Sequence, residues 1–175
     1  KYVSSESDLV VEFGSNDGIL LSALKSKCRV LGVDPAENVA TLAKDRGVET
    51  ITDYFGEKVA GEILKKFGRA KVIVANNVFA HIDDIHDVMK GINILLSPDG
   101  EFIFECHWVG NLIGEGGFDQ IYHEHLCYYS LHSLKVLLDL FGLIINDIKL
   151  VPIHGKSIRV YAGKSGKSSE AVSEF

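Results

Sequence analysis

Four neighbouring residues near the middle of the chain carry side chains suited to acid–base chemistry. They are Tyr122, His123, Glu124 and His125, within the segment 118–130, which reads FDQIYHEHLCYYS. An imidazole takes up a proton near neutral pH, and a phenol or a second imidazole can stabilise an oxyanion on a substrate. This segment therefore predicts a proton-transfer site.

Two other interpretations of this segment stay open. The His-x-His pattern beside Glu124 is also typical of metal sites, but the spacing indicates no third ligand, so we expect no bound metal. Alternatively, the histidine and tyrosine side chains are ordinary polar groups of a loop, satisfied by hydrogen bonds.

A second group of residues follows the predicted strands, and ligands of open α/β sheets bind beyond the carboxyl ends of strands. Asp34 comes 20 residues after Gly14, at the end of the second strand, where its carboxylate can accept from both hydroxyls of a ribose. Asp53 can accept from an adenine amine, with Tyr54 or Phe55 against the ring. The residues at this edge are Glu12, Gly14, Ser15, Asn16, Asp17, Gly18, Asp34, Pro35, Asp53, Tyr54, Asn76 and Asn77. We expect an adenosine-type ligand here; the alternative is a tight strand–helix turn that binds nothing.

The loop GSNDG at residues 14–18 indicates which adenosine-type ligand is favoured. A dinucleotide fingerprint needs a glycine where this chain has Asn16, so that the backbone can approach a pyrophosphate. The neighbouring Ser15 and Asp17 add polarity and a carboxylate, which suits a zwitterionic, cationic ligand. S-adenosylmethionine is therefore the predicted cofactor, and a nicotinamide dehydrogenase is disfavoured.

The elements that must position these residues alternate between strand and helix with short connections. Such alternation predicts a mostly parallel sheet with helices on both faces. A short joint near the end of the chain predicts an antiparallel hairpin at the sheet edge. The predicted strands are 8–13, 29–33, 48–51, 71–75, 101–106, 143–151 and 157–162, and the predicted helices begin near residues 19, 35, 55, 82 and 131. Segment 107–130 is expected to be a long functional loop, and residues 97–100 a turn.

Composition excludes several classes of protein. The 175 residues are 46% hydrophobic and 24% charged, which is typical of globular domains and not of disordered or coiled-coil chains. A net charge of −6 provides no basic surface for nucleic acid or an anionic membrane, and no apolar run is long enough to span a membrane.

The three widely spaced cysteines are expected to be reduced thiols of a cytoplasmic protein. The start at Lys1 without a signal peptide suggests an excised fragment.

The run VVEFGSNDG, together with the following GVDP, resembles the class I S-adenosylmethionine-dependent methyltransferases. This resemblance implies their Rossmann-like α/β fold, with a mostly parallel seven-stranded sheet and a terminal antiparallel hairpin. It also implies that Glu12 lies near the methionine ammonium, that loop 14–18 surrounds the methionyl part, and that Asp34 binds the ribose. Asp53 and Tyr54 would then lie at the adenine.

Four further runs are similar to C-methyltransferases that act on nucleotide-activated keto-sugars. In chain order they are NNVFAHIDD, FECHWVGNLI, FDQIYHEHLCYYS and HGKSIRVYAG. The resemblance implies that His125 is a base, that Tyr122 assists deprotonation or enolate stabilisation, and that Glu124 contacts the sugar. Asn77 and His154 would face the substrate. His81, just after the NNVFA strand end, is expected to line the cofactor pocket.

The chain also departs from that family. It has HGKS where the family usually has HGGS, and Lys156 either contacts a substrate diphosphate or fills a solvent-facing turn. We predict a methyltransferase domain over 1–163 and a polar tail or linker over 164–175, with the family's N-terminal zinc-binding and C-terminal domains missing. The alternatives are a small-molecule O- or N-methyltransferase and a non-catalytic adenosine-binding interaction domain.

Overall fold

A seven-stranded sheet with helices on both faces forms the centre of the molecule. The computed structural model describes residues 2–152 and 157–174. The strands are β1 Leu9–Phe13, β2 Arg29–Val33, β3 Thr50–Ile51, β4 Ala70–Asn76, β5 Leu96–His107, β6 Ile144–Val151 and β7 Ser157–Gly163. The helices are α1 Ile19–Leu24, α2 Glu37–Asp45, α3 Glu57–Phe67, α4 Ile85–Leu95, α5 Val109–Glu115, α6 Leu131–Leu140 and α7 Glu170–Glu174, with 3₁₀ turns at Phe79–His81 and Phe118–Gln120.

Strand order places the predicted ligand-binding residues on one rim. The order is β3-β2-β1-β4-β5-β7-β6; the first five strands pair in parallel, while β7 runs antiparallel to both β5 and β6. This confirms the predicted fold class, including the terminal hairpin. Because these strands are parallel, the carboxyl ends of β1, β2, β4 and β5 lie along one edge of the sheet. The strand order reverses between β1 and β4, and such a switch point is where ligands of open α/β sheets bind.

Several element boundaries differ from the predictions for local physical reasons. The predicted turn 97–100 lies inside β5, where the pairing partner jumps from Leu96 to Glu101 across a bulge. The predicted loop 107–130 contains the short helix α5. Helix α4 begins at Ile85, not at residue 82, because the Asp84 side chain accepts from the Asp87 amide and caps it. Helix α2 begins after Pro35, at Glu37, since Asp34 holds the intervening Ala36 amide.

Stacked aromatic rings fill the larger of the two hydrophobic clusters. Phe104 of β5 is fully buried, with ring centroids 4.4 Å from Phe79 and 4.8 Å from Phe102. Phe13 at the end of β1 lies 6.2 Å from Phe102 and extends this stack toward the rim. Since such rings interdigitate with little void, they form a stiff platform beneath the residues of the site.

The predicted tail packs against the sheet. Ser169 donates a hydrogen bond to Asp147 Oδ1 over 2.6 Å, and Ser168 donates to the Ile145 carbonyl over 2.8 Å. Helix α7 follows, and its Val172 packs on the larger cluster. The role of 164–175 as a linker to another domain stays a prediction.

Within residues 2–152 and 157–174, no helix has the length and apolarity needed to cross a bilayer.

Replacing Phe104 with alanine should destabilise the domain strongly. The substitution removes a fully buried ring and leaves a cavity, so the free energy of unfolding should fall by roughly 3–5 kcal/mol in urea titration. Leu140→Ala on α6 is the control, since Leu140 is 66% exposed and its loss should change stability by about 0.5 kcal/mol or less. Similar losses for both variants would contradict the assigned core.

Candidate active site

The loop between β1 and α1 adopts a backbone path that restricts its sequence. Gly14 and Gly18 have φ of 64° and 72°, and Asn16 has φ of 50°. A Cβ atom at Gly14 would lie 2.4 Å from Cγ2 of Val78, so a side chain there meets both a strained backbone and a neighbour. The loop therefore approaches the end of β4 more closely than other residues would permit.

Asp34 holds this loop against the end of β2. Its Oδ2 accepts from the Asn16 amide at 2.8 Å, and its Oδ1 accepts from the Ala36 amide at 3.0 Å. Each carboxylate oxygen keeps further acceptor capacity. A buried carboxylate held by two backbone amides thus lies directly after β2, where the sequence predicts a ribose contact.

Glu12 is a buried carboxylate with an incomplete set of contacts. It is 4% exposed, and its Oε1 accepts from Nδ2 of Asn76 at 3.2 Å. Its Oε2 has no hydrogen-bond partner within residues 2–152 and 157–174. Burial, with smaller contributions from the charges of Asp17 and Asp34, raises the pKa of Glu12 to about 7. The site therefore has the electrostatics of a receptor for a cation.

A cavity of about 750 Å³ opens beside this loop. Phe13 and Phe55 stack in its wall with centroids 4.6 Å apart. The lining includes three acidic residues, Asp83, Asp84 and Asp87, to which the sequence analysis assigned no role, although the DDIHD spacing is typical of a helix cap. The described lining residues are Phe13, Gly14, Val33, Asp34, Pro35, Tyr54, Phe55, Val78, His81, Ile82, Asp83, Asp84, Asp87 and Val88.

Three predicted cofactor residues have other surroundings in the structure. The Asp17 carboxylate pairs with Arg46 at 2.8 Å. Asp53 is exposed and lies outside the described cavity lining, with one oxygen accepting from the Tyr54 amide at 2.8 Å. Ser15 is buried near Gly32, and its hydroxyl has no hydrogen-bond partner among the described residues.

The loop that carries the predicted acid–base residues docks beside the cavity. The Leu126 amide donates to the Ala80 carbonyl at 2.7 Å and so joins the loop to the turn after β4. His125 then lies between two other imidazoles, with ring centroids 4.9 Å from His81 and 4.8 Å from His107. His107 ends β5; it lies in the FECHWVGNLI run, but the sequence assigned it no role.

His125 has a defined tautomer when neutral. Its Nδ1 lies 2.8 Å from the Gln120 carbonyl oxygen, which can only accept, so Nδ1 carries the proton. Its Nε2 therefore presents a lone pair to the Tyr122 hydroxyl, 3.0 Å away. His125 is 6% exposed whereas Tyr122 is 42% exposed, so the phenol is the outward member of the pair.

The remaining predicted residues are not gathered at this pair. The side chains of His123 and Glu124 are 91% and 63% exposed and face solvent. Nε2 of His123 lies 4.0 Å from Oε1 of Glu124. The Asn77 amide donates to the Glu105 carbonyl at 3.0 Å, and its buried Oδ1 has no partner in the described part of the chain. His154 and Lys156 lie outside the described residues.

Comparison with known proteins identifies the family. A family model described as a methyltransferase domain matches residues 4–146. The chain belongs to the methyltransferase domain family. It is 44% identical over 175 residues to the C-methyltransferase NovU of Streptomyces niveus, covering 98% of this chain and 42% of that protein. The methyltransferase domain described here thus spans about two fifths of that relative's length.

Solved structures show the same fold for this methyltransferase domain. An S-adenosylmethionine-dependent methyltransferase from Anabaena variabilis superposes with a TM-score of 0.69 at 16% identity, covering 91% of this chain and 78% of the other. Magnesium protoporphyrin IX methyltransferase from Synechocystis, solved with bound S-adenosylhomocysteine, superposes with a TM-score of 0.66 at 14% identity. The match covers 90% of this chain and 74% of the other. S-adenosylmethionine is therefore the cofactor of this methyltransferase domain.

The residues present fit that cofactor. The Oε2 of buried Glu12, which has no partner in the described ranges, would serve as an acceptor for an ammonium group, and the backbone at Gly14 would be open to the methionyl part. Asp34 faces the cavity with acceptor capacity for a ribose. As for metals, the described ranges hold no group of three or more His, Cys, Asp or Glu side chains placed to bind an ion.

The raised pKa of Glu12 should make stability depend on pH. The folded state binds this proton more tightly than the unfolded chain, whose glutamate has the ordinary value of 4.5. The stabilisation is therefore complete below pH 4.5 and is lost as pH rises through about 7. In urea unfolding without cofactor, the free energy of unfolding of wild type should fall by on the order of 2 kcal/mol, relative to that of Glu12→Gln, between pH 4.5 and 8. Glu62→Gln, exposed on α3, should titrate like wild type; a pH-independent difference between wild type and Glu12→Gln would contradict a buried titrating carboxylate.

Replacing Asp34 and Asp53 separately should distinguish their roles. Asp34→Asn removes an anchored acceptor in the cavity wall, so the affinity for S-adenosylmethionine and S-adenosylhomocysteine should fall about tenfold or more in calorimetry. Asp53→Asn is the matched control and should leave the dissociation constant within about twofold. Equal losses would place Asp53 at the ligand as well.

Proposed function

We propose that this methyltransferase domain transfers methyl groups to carbon, at the position next to the ketone of a nucleotide-linked keto-sugar, through an enolate. The observation that supports this most is the buried His125, whose Nε2 lone pair faces the Tyr122 hydroxyl beside the cofactor cavity. The 44% identity to a protein named C-methyltransferase supports transfer to carbon.

The two side chains form a proton relay in this proposal. Tyr122, the exposed member, takes the proton from the substrate carbon as its own hydroxyl proton passes to Nε2 of His125. The resulting imidazolium donates through Nδ1 to the Gln120 carbonyl, which holds the positive ring in place. His125 is thus the base, and it acts on the substrate through Tyr122.

The enolate needs stabilisation because a proton beside a ketone is too weakly acidic for an imidazole alone. Asn77 directly follows β4, and its side-chain Nδ2 is a donor of the kind that an enolate oxygen needs, whereas its buried Oδ1 has no hydrogen-bond partner among the described residues. We assign it to the substrate. Bound S-adenosylmethionine supplies the electrophilic methyl group and a nearby positive charge.

The other predicted residues enter the proposal with different support. His154 and Lys156, outside the described residues, stay predicted substrate contacts. Glu124 remains a predicted sugar contact, which requires the substrate to reach a carboxylate that faces solvent here. His123 shares that exposure and has no assigned step. Segments beyond this domain, as the greater length of NovU suggests, are proposed to help enclose the sugar nucleotide.

Hydrogen–deuterium exchange without methyl donor tests the enolate route. The full chain, incubated in deuterium oxide with a nucleotide-linked keto-sugar, should exchange the proton next to the ketone, as followed by NMR or mass spectrometry. Tyr122→Phe and His125→Gln should each lower the exchange rate about a hundredfold or more, because either change breaks the relay. His132→Gln, an exposed histidine on α6, is the control and should exchange like wild type.

The same assay separates the alternatives. An O- or N-methyltransferase, in which the pair would deprotonate a hydroxyl or amine, predicts methyl transfer with no exchange at carbon. A non-catalytic adenosine-binding domain predicts neither reaction and unchanged function in the Tyr122→Phe variant. Absence of exchange in the wild-type chain would overturn the proposed function.

A further inference from the structure

One backbone carbonyl in the active-site loop accepts two hydrogen bonds. The Gln120 oxygen lies 2.8 Å from Nδ1 of His125 and 3.1 Å from the hydroxyl of Tyr128. A carbonyl oxygen has two lone pairs, so both donors can be satisfied together. The Tyr128 ring also meets the His125 ring edge-on, at 6.0 Å and 84°.

Tyr128 belongs to the firmly attached part of this loop. Its neighbour Tyr129 is buried, forms a β-bridge with Trp108, and accepts from the Val109 amide at 3.0 Å. The Tyr129 hydroxyl donates to the Phe79 carbonyl at 3.2 Å. Tyr128 therefore links an anchored segment to the 3₁₀ turn that presents the Gln120 carbonyl.

We propose that Tyr128 is a positioning residue that selects the working tautomer of His125. The effect of Tyr128 on catalysis rests on the proposed function. Its effect on the His125 tautomer rests on the two hydrogen bonds to the Gln120 carbonyl. The Tyr128 hydroxyl fixes the direction of the Gln120 carbonyl, and the carbonyl fixes the proton on Nδ1. Only then does Nε2 present its lone pair to Tyr122.

Loss of the Tyr128 hydroxyl has a specific consequence. The Gln120 peptide keeps one hydrogen bond in place of two, so its carbonyl can rotate away from the imidazole. A neutral ring without a fixed acceptor populates both tautomers, and the tautomer protonated at Nε2 cannot accept from Tyr122. The imidazolium formed during turnover also loses its oriented, charge-assisted partner.

Nitrogen NMR of the full chain with labelled histidine tests this assignment directly. In wild type, the His125 signals, identified by their loss in His125→Gln, should show a protonated Nδ1 and an unprotonated Nε2. Tyr128→Phe, which keeps the ring and removes only the hydroxyl, should give averaged signals from both tautomers. Tyr161→Phe is the control, because it removes the hydroxyl of another buried tyrosine, on β7 and outside this loop.

Other outcomes would overturn the proposal. It fails if wild-type His125 lacks a protonated Nδ1, if Tyr128→Phe keeps the wild-type tautomer, or if Tyr161→Phe shifts the tautomer equally. S-adenosylmethionine binding measured alongside confirms that each variant remains folded.

Kinetics of deuterium exchange provide the second readout. Tyr128→Phe should lower the maximal exchange rate about tenfold while KM for the keto-sugar stays within about twofold, because it alters the base and not the binding site. An unchanged rate would overturn the positioning role. If the wild-type chain shows no exchange at all, the proposed function fails, whereas the tautomer measurement still decides the structural role of Tyr128.

Discussion

The hydrogen bonds of the Asp34 carboxylate determine the shape of the cofactor half of the site. One oxygen holds the Asn16 amide at 2.8 Å and the other holds the Ala36 amide at 3.0 Å. The first bond closes the left-handed turn after β1, and the second fixes the chain before α2. Because charged acceptors make strong hydrogen bonds to backbone amides, this contact can offset the strain of positive φ at Asn16.

Two buried glutamates on the same sheet show how charge is distributed in the site. Glu105 on β5 is 3% exposed and forms a hydrogen-bonded ion pair with Arg159 of the adjacent β7. Glu12 on β1 is 4% exposed and has only the Asn76 amide as a described partner. A buried carboxylate without a cation is costly, which explains the raised pKa of Glu12. A cationic cofactor offsets that cost. The free energy regained when the buried Glu12 charge is paired therefore adds to the binding free energy of the cofactor.

The two halves of the site are held in place by different contacts. The cofactor loop connects strands whose side chains stack in the aromatic core, whereas the loop with Tyr122 and His125 is joined to the turn after β4 by the Leu126 amide. Within that loop, backbone carbonyls orient the rings, as Gln120 does for His125. The cofactor half thus combines aromatic packing with the hydrogen bonds of Asp34, whereas the proposed proton relay relies on a few directional hydrogen bonds.

Sequence alone determined the parallel sheet, the terminal hairpin, the family and the glycine loop, because apolar runs, strand–helix alternation and φ-restricted glycines are local signals. It placed Asp34 correctly at the rim, since that residue directly ends a strand. It could not tell that Asp17 would pair with Arg46, or that His123 and Glu124 would face solvent while His125 turned inward. The orientation of these side chains depends on residues that are distant in sequence and on backbone carbonyls. Every residue type has a backbone carbonyl, so such contacts leave no mark in the sequence. The Gln120 oxygen carries no sequence signature, so only the tertiary structure could bring it to His125.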